Sequence, residues 1–237
     1  MLRTTFSLAV AALAAVALAA PGPKDKEAPL EPIKPEMRTK SVENLKEIGL
    51  AFHNYHDTHG FLPTNEFGKD KKPLLSWRVQ ILPYIEQLDL YKQFKLDEPW
   101  DSDHNKKLID KMPAIYAPVR GRAKAGETFY QGFSGSHGML KSGERITFAT
   151  ITDGLSNTFM VVESGKPVIW TKPEDMPFEG KDVPLLGGMF DGAFTAVMGD
   201  GAPRRFKKGI DPEMIKRLID PRDGQVVNIN ELAEEDE

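Results

Sequence analysis

Apolar and polar residues alternate with a helical period between Ser41 and Pro63. Leu45, Ile48, Phe52 and Tyr55 follow one another at spacings of three and four residues, which places them on one face of an α-helix. Burial of such side chains contributes roughly 1.5–3 kcal/mol each, whereas helix propensities differ by only tenths of a kcal/mol. Packing therefore decides this helix, and we expect it to lie against a larger, mostly β layer.

Both ends of this helix carry boundary signals. Ser41 is a candidate N-cap, and the acidic Glu43 suits the positive end of the helix dipole. Gly60 is a natural residue just beyond the C-terminus, and Pro63 prevents the chain from re-entering a helix. We therefore predict that the helix begins near Ser41 and ends before Gly60.

Later segments predict short helices and strands. Residues 74–94 are helical in pattern, with Pro83 between two helices, and Asp211 is a candidate N-cap of a last helix. The predicted buried face of that last helix consists of Met214, Ile215 and Leu218. Strands are predicted at residues 158–162, 193–198, 204–206 and 225–229. The proline-containing residues 166–184 are expected to form a surface excursion.

The chain divides into four parts by composition. Residues 1–20 combine Arg3, an apolar run and small residues before a cleavage point, which is typical of a secretory signal; a retained anchor is the alternative. Residues 21–40 are rich in proline and charge and are interpreted as a linker, either a semi-rigid spacer or an unstructured N-terminus. Residues 41–230 are interpreted as one folded domain, and residues 231–237 as a disordered acidic tail.

Composition argues against nucleic-acid binding and excludes sites that depend on cysteine. The chain has 237 residues, an apolar fraction of 40%, a net charge of −4 and no cysteine. The acidic balance argues against a nucleic-acid partner, which usually requires a basic face. Lack of cysteine excludes disulfides, thiolate metal sites and a lipidated cysteine anchor.

Histidine and carboxylate chemistry is sparse. His53, His56, Asp57 and His59 are the only candidate metal cluster, and a structural or surface role is the favoured interpretation because a zinc site needs three or four converging ligands. One of the first two histidines is expected to form a hydrogen bond within the domain. We predict no bound metal and no cofactor.

Two further motifs are weighed and interpreted as structural. Residues 134–138 (Ser-Gly-Ser-His-Gly) place serines beside a histidine but lack the context of a nucleophile elbow, so a flexible loop is favoured and no catalytic residue is predicted. Asp153-Gly154 and Asp200-Gly201 are interpreted as turns rather than calcium loops.

Aromatic side chains supply the candidate interaction site. Trp77, Trp100, Tyr130 and Trp170 could line a groove for a glycan or a peptide, and a place in the core is the competing interpretation.

Several segments together resemble one protein family. NLKEIGLAFHNYHDTHGFLP, LLSWRVQILPYIEQLDLYKQF, ITDGLSNTFMVVE, VMGDGAPRRF and IDPEMIKRLI occur in this order within residues 41–227. They resemble the planctomycete domain-of-unknown-function family 1559 (DUF1559), which also carries a solute-binding-protein-like label. The resemblance implies an α+β, pilin-like fold: an N-terminal amphipathic helix packed on an antiparallel β-sheet, with additional short helices. It brings no settled activity.

The sequence departs from the family pattern at three places. Residues 4–8 only faintly echo a prepilin leader, and no glutamate follows. Phe190 stands where the family places a histidine ten residues before Asp200, and Ala117-Pro118 replaces a Cys-Pro pair. The resemblance therefore implies a secreted, soluble relative rather than a subunit assembled through a continuous apolar helix.

These observations predict an exported, non-enzymatic structural or interaction protein of the cell envelope, located in the periplasm, at the cell surface or outside the cell. Its partner would be an envelope protein or a second copy of itself, and a membrane only if the N-terminal apolar run is retained. The alternative is an extracellular module that binds a solute or glycan; a hydrolase is a remote third.

Overall fold

The computed structural model describes residues 30–141 and 143–234, so the predicted signal at residues 1–20 lies outside the described residues. The helices and strands are α1 (Pro35–His59), α2 (Trp77–Gln80), α3 (Leu88–Tyr91), β1 (Glu127–Gln131), β2 (Phe133–Ser134), β3 (Phe159–Ile169), β4 (Met176–Pro177), β5 (Phe194–Met198), β6 (Pro203–Phe206), α4 (Pro212–Ile219) and α5 (Ile229–Leu232). Short 3-10 turns occur at Leu82–Tyr84, Asn105–Lys111, Ala114–Tyr116, Phe148–Thr150 and Leu155–Asn157.

The first helix is longer than predicted. It begins at Pro35, whose fixed φ suits a first helical turn, so the predicted N-cap at Ser41 is wrong and the predicted linker ends before residue 35. Ser41 is instead a buried residue inside the helix. The C-terminus is confirmed: Gly60 has a φ of 79° and its N–H donates to the His56 carbonyl at 2.7 Å.

The predicted buried face of α1 is confirmed, because Leu45, Ile48 and Phe52 have no exposed surface and Tyr55 is buried. Gly49 marks the closest approach of α1 to the sheet. A Cβ atom added to Gly49 would come within 2.6 Å of Val197 Cγ2, so only glycine fits here.

The sheet has four strands in the order β1-β3-β5-β6, and every neighbouring pair is antiparallel. α1 packs on β3, β5 and β6. β2 and β4 form a separate, parallel two-stranded pair. The prediction of an α+β fold with an N-terminal helix on an antiparallel sheet is confirmed.

The sheet lies between two apolar clusters. Met160, Val161 and Val197 contact the cluster that includes the buried face of α1. The second cluster joins side chains of the strands to α4, and its members include Phe159, Phe194, Phe206, Ile215, Leu218 and Ile219. The N-cap of α4 is confirmed, because Asp211 Oδ1 accepts from Glu213 N at 2.9 Å. Met214 of its predicted buried face is only partly buried.

Two predicted segments differ from the structure. The strand predicted at residues 225–229 is absent from the described chain; irregular residues lead instead into α5, since Val227 N is held by Asn157 Oδ1 at 3.1 Å. The excursion predicted at residues 166–184 is wrong in part, because β3 continues to Ile169, and Trp170 and Asp175 are buried. Among the described residues, no helix combines the length and apolar character needed to cross a membrane.

Candidate functional site

A cleft of about 760 Å³ lies between the N-terminal end of α1 and the outer edge of β6. Its lining residues are Ile33, Pro35, Arg38, Thr39, Arg205, Lys207 and Glu234. A neighbouring cleft of about 620 Å³ shares Arg205 and Glu234 and adds Arg204. We call the two together the basic cleft, because four of their side chains are cationic and Glu234 is the single acid among these lining residues.

Arg38 joins α1 to the last described residue of the chain. Its Nη1 atom lies 3.2 Å from Glu234 Oε2, and its guanidinium lies over the Phe190 ring, 5.0 Å from the centroid. The two side chains of this ion pair remain 22% and 27% exposed. Because water screens such a pair, it contributes roughly 0.2–1 kcal/mol.

The C-terminal segment, residues 229–234, covers the edge of β6. Ala233 lies opposite Phe206, Glu234 N donates to Arg205 O at 2.8 Å, and Lys207 N donates to Leu232 O at 3.2 Å. Each such bond contributes roughly 0.5–1.5 kcal/mol net. Together with the Arg38 pair, the polar contacts hold this segment by roughly 1–4 kcal/mol, a small fraction of a domain's packing energy.

A buried carboxyl group contacts α1 at Ser41, about one helical turn beyond Arg38. Glu163 of β3 has no exposed surface; its Oε1 accepts from Ser41 Oγ, and its Oε2 accepts from Thr195 N at 2.8 Å. Tyr130 OH bonds to Ser41 Oγ at 2.8 Å and accepts from Asn44 Nδ2 at 3.2 Å. This network ties α1 to β1, β3 and β5.

Burial governs the protonation of this network. Desolvation raises the pKa of Glu163 to about 7, against the opposing effects of the Ser41 and Thr195 hydrogen bonds and of the Arg38 charge. Desolvation, followed by the Glu163 charge, also raises the pKa of Tyr130. The Glu163 carboxyl therefore changes charge near neutral pH, although it does not face the solvent.

A second arginine–carboxylate cluster closes the other edge of the sheet. Arg78 and Asp175 have no exposed side-chain surface, and Arg78 Nη2 lies 2.9 Å from Asp175 Oδ1. Arg78 Nε and Nη2 also donate to the Tyr130 carbonyl of edge strand β1, at 2.9 and 2.8 Å. Burial lowers the pKa of Arg78 and the Asp175 charge opposes this shift.

Asp175 is saturated with donors. Besides Arg78, it accepts from Asn65 Nδ2 at 2.7 Å, from Trp77 Nε1 at 3.0 Å and from Gly132 N at 2.9 Å. No substrate could reach this carboxylate without disrupting the core. The cluster, which we call the Arg78–Asp175 hub, is structural.

Three of the four predicted interaction residues lie in the core. Trp77, Tyr130 and Trp170 have no exposed surface, because each packs in the apolar cluster beneath α1 and places its polar atom on an internal partner. They therefore do not line a groove. Trp100 is only partly buried, and Lys172 Nζ lies 5.8 Å from the centroid of its ring.

The histidines of α1 form internal contacts. His53 Nε2 lies 3.1 Å from Gly199 O, which confirms the predicted hydrogen bond within the domain. The rings of His53 and His56 each lie 4.4 Å from the Phe148 ring, and His59 Nε2 lies 3.1 Å from Tyr84 OH. In the part of the chain that the structure describes, no three histidine, aspartate or glutamate residues converge on a metal position.

The serine–histidine loop adopts a different pairing from a catalytic triad. His137 Nδ1 lies 2.5 Å from Asp220 Oδ2, whereas the Ser136 hydroxyl donates to Glu179. The loop is thereby fixed to the end of α4.

An open aromatic pocket of about 610 Å³ lies elsewhere on the surface. It is lined by Phe61 and Phe67 together with the polar side chains Asn65, Glu66 and Arg145. Phe67 is 40% exposed, and the Arg145 guanidinium lies 4.8 Å from the Phe61 centroid.

Sequence reasoning missed the main residues of the basic cleft. Arg38 and Glu234 fell within a predicted linker and a predicted tail, where charge is usually solvated. Glu163 did carry a signal: an acidic residue directly after the apolar run of residues 159–162 is unusual in a buried strand.

One protein-family model matches the chain, over residues 38–121 and 113–184; it is described as SBP_bac_10, protein of unknown function (DUF1559). No curated protein and no solved structure matches significantly. The matched residues include α1 from Arg38 onward, the Arg78–Asp175 hub and Glu163, whereas β5, β6 and the C-terminal segment lie beyond them.

Proposed function

The chain belongs to the DUF1559 family, and from this premise and the geometry of the basic cleft we propose that it is an exported, non-enzymatic structural or interaction protein of the cell envelope. The family has no assigned function, so the proposal depends on the residues themselves. The predicted signal at residues 1–20 supports export.

The observation that carries the proposal is the basic cleft beside the edge of β6. Apart from Glu234, its charged groups are arginine and lysine side chains, which hold acidic partners through charge-assisted hydrogen bonds. Beside them, the edge of β6 pairs with the C-terminal segment through the backbone bonds of Glu234 N and Lys207 N, so it already accepts an extended backbone there. This combination favours recognition of another chain.

The layer arrangement supports a pilin-like role. A helix of 25 residues lies along an antiparallel sheet, and its N-terminal end and the basic cleft are on the same side of the domain. A partner bound in the basic cleft would therefore contact the domain beside the start of α1.

Fractionation of native cells tests the proposal. We expect the wild-type chain in an envelope or extracellular fraction, with its N-terminus after residue 20, and cross-linked to itself or to an envelope protein. Arg38→Glu and Lys207→Glu should still be exported but should lose that cross-link, whereas Lys216→Glu, on α4 outside the cleft, should retain it. Thermal melts check that each variant folds. Recovery from the cytosol with residues 1–20 intact would contradict export, and equal cross-linking of all variants would contradict the role of the cleft.

A second candidate, a solute- or glycan-binding module, is favoured by the open aromatic pocket. Phe61 and Phe67 beside Glu66 and Arg145 combine apolar ring faces with hydrogen-bonding groups, as small-molecule sites commonly do. A thermal-shift screen against soluble glycans tests it. A stabilising glycan whose effect is lost in Phe67→Ala and retained in Leu185→Ala, a second exposed apolar site, would support this function. No shift with any glycan would count against it.

A further inference from the structure

The edge of β6 is closed by residues of the chain itself, the C-terminal segment. An unpaired sheet edge is a template for a strand from another chain. Here the backbone bonds from Glu234 N and Lys207 N and the bridge between Ala233 and Phe206 join the C-terminal segment to the edge of β6, and the Arg38–Glu234 pair joins it to α1. Ile229 and Leu232 pack on the second apolar cluster only in part.

Charge matches the C-terminal segment to this edge. Arg38, Arg205 and Lys207 line the cleft, whereas Glu231 and Glu234 are acidic and the sequence continues as Glu-Asp-Glu over residues 235–237. Any occupant with the same chemistry must be acidic and must end in an extended stretch, as residues 233–234 do after α5. The C-terminal segment of a second copy has that chemistry and the same register.

The structure also supplies a hinge. Residues 220–228, between α4 and α5, contain no helix or strand, and Gly224 has a φ of 74°. Gly224 N is anchored to Asp153 Oδ1 and Val227 N to Asn157 Oδ1, so the exchangeable part begins after residue 227. Rotation at Asn228, between this anchor and α5, would redirect the C-terminal segment without disturbing α4.

We propose that the C-terminal segment exchanges between copies, so that the β6 edge of one chain binds residues 229–234 of a second. The contacts are identical in both forms, which makes exchange a low-cost route to self-association. Because a short tether gives the chain's own segment an effective concentration of mM order, exchange requires crowded copies, as in an envelope assembly. The inference deepens the proposed function and rests on it for that crowding.

Isotope mixing of the full chain tests the exchange. Lys207 and Glu234 both line the basic cleft, and the pairing of Phe206 with Ala233 places them diagonally across from each other, which suits a zero-length carbodiimide link between amine and carboxylate. Equal amounts of ¹⁴N and ¹⁵N chains are mixed at about 1 mM, a concentration comparable with that of the tethered segment, and linked peptides are analysed by mass spectrometry. We expect mixed-isotope Lys207–Glu234 links to rise towards about a quarter of all such links, because at this concentration about half of the segments lie on another copy and about half of those copies carry the other isotope.

Two comparisons make the result decisive. The Lys216–Glu213 link within one turn of α4 must stay isotopically pure, since its partners lie 2.8 Å apart in one helix. In Arg38→Gln the mixed links should reach the same plateau sooner, because the Arg38–Glu234 pair is lost both within one chain and between exchanged chains. In Lys216→Gln the mixed links should rise at the wild-type rate.

Three results would overturn the exchange. The first is that Lys207–Glu234 links stay isotopically pure at every time. The second is that mixed-isotope Lys207–Glu234 links are no more frequent than random Lys216–Glu234 links. The third is that mixed links appear at the same rate in Arg38→Gln and in Lys216→Gln. The proposed function is judged separately by cell fractionation, so an exported chain that never exchanges would retain that function and lose only this inference.

Discussion

The two edges of the four-stranded sheet are both closed by an arginine and a carboxylate, in opposite surroundings. At β1, the Arg78–Asp175 hub has no exposed side-chain surface and bonds directly to the Tyr130 carbonyl. At β6, Arg38 and Glu234 remain partly exposed and fasten a short terminal segment. The same two chemical groups thus hold one edge strongly and the other weakly, because burial determines the free energy needed to break the ion pair.

The largest effect is expected at the β1 edge. Asp175→Ala should lower the free energy of unfolding by roughly 3–5 kcal/mol, because it leaves the Arg78 charge buried without its partner. Urea denaturation measures this change. Asp103→Ala removes an aspartate that is 96% exposed and paired with Lys106, and should lower the free energy of unfolding far less, because water screens the pair. Similar losses in both variants would show that burial does not separate the two edges.

A pH effect is expected from Glu163, which lies on the strand next to β1. The carboxyl has an ordinary value of 4.5 and a folded pKa of about 7, so the native state binds the proton more tightly than the unfolded state. Stability should therefore fall as pH rises from 4.5 to 7, by about 3 kcal/mol, and stay lowered above that range.

Glu163→Gln mimics the protonated carboxyl and should remove most of this decline. Unfolding measured at pH 5 and pH 8 checks it, with Glu43→Gln on the exposed surface of α1 as the matched control. A decline of equal size in Glu163→Gln and in the wild-type chain would assign the pH dependence to other groups.

Hydrogen exchange compares the two edges in one experiment. The amides of Glu234 and Lys207 should exchange through local opening at roughly 1–4 kcal/mol, the strength estimated for the contacts of the C-terminal segment. The Gly132 amide, bonded to Asp175, should exchange only with global unfolding. Equal protection of these amides would mean that the β6 edge is as permanent as the β1 edge.

The smallest effect is expected from the Arg38–Glu234 ion pair itself. Glu234→Gln should lower the free energy of unfolding by roughly 0.2–1 kcal/mol, and the difference from wild type should shrink at high salt. Chemical denaturation at low and at 1 M salt measures it, about 1 M being enough to shorten the screening length to a few Å. A salt-independent loss above this range would indicate that Glu234 acts through packing.

Sequence periodicity predicted elements that bury one face along most of their length. The face of α1 from Leu45 to Tyr55 and the Asp211 cap follow from local spacing, and both are confirmed. Local signals failed where distant residues decide: Pro35 rather than Ser41 begins α1, and Ser41 is buried because Glu163 lies across from it in the fold.

The candidate site could not be predicted from the sequence for the same reason: its residues are brought together only by the fold. Arg38 and Glu234 are 196 residues apart, and neither shows a periodic pattern that would bring them together. Trp77, Tyr130 and Trp170 were candidates because aromatic rings suit both grooves and cores, and composition cannot distinguish the two. Only tertiary contacts assign these three rings to the core.

Gly49 has a mechanical consequence. With Val197 Cγ2 occupying the space of its absent side chain, a slide of α1 by one residue would drive Leu50 or Ile48 into the sheet. The helix is therefore locked in register, and a pull on the chain ahead of Pro35 would be transmitted to β5 as a whole rather than absorbed by slippage. The domain would bear tension as a rigid body, with the C-terminal segment at the edge of β6 as the part that yields first.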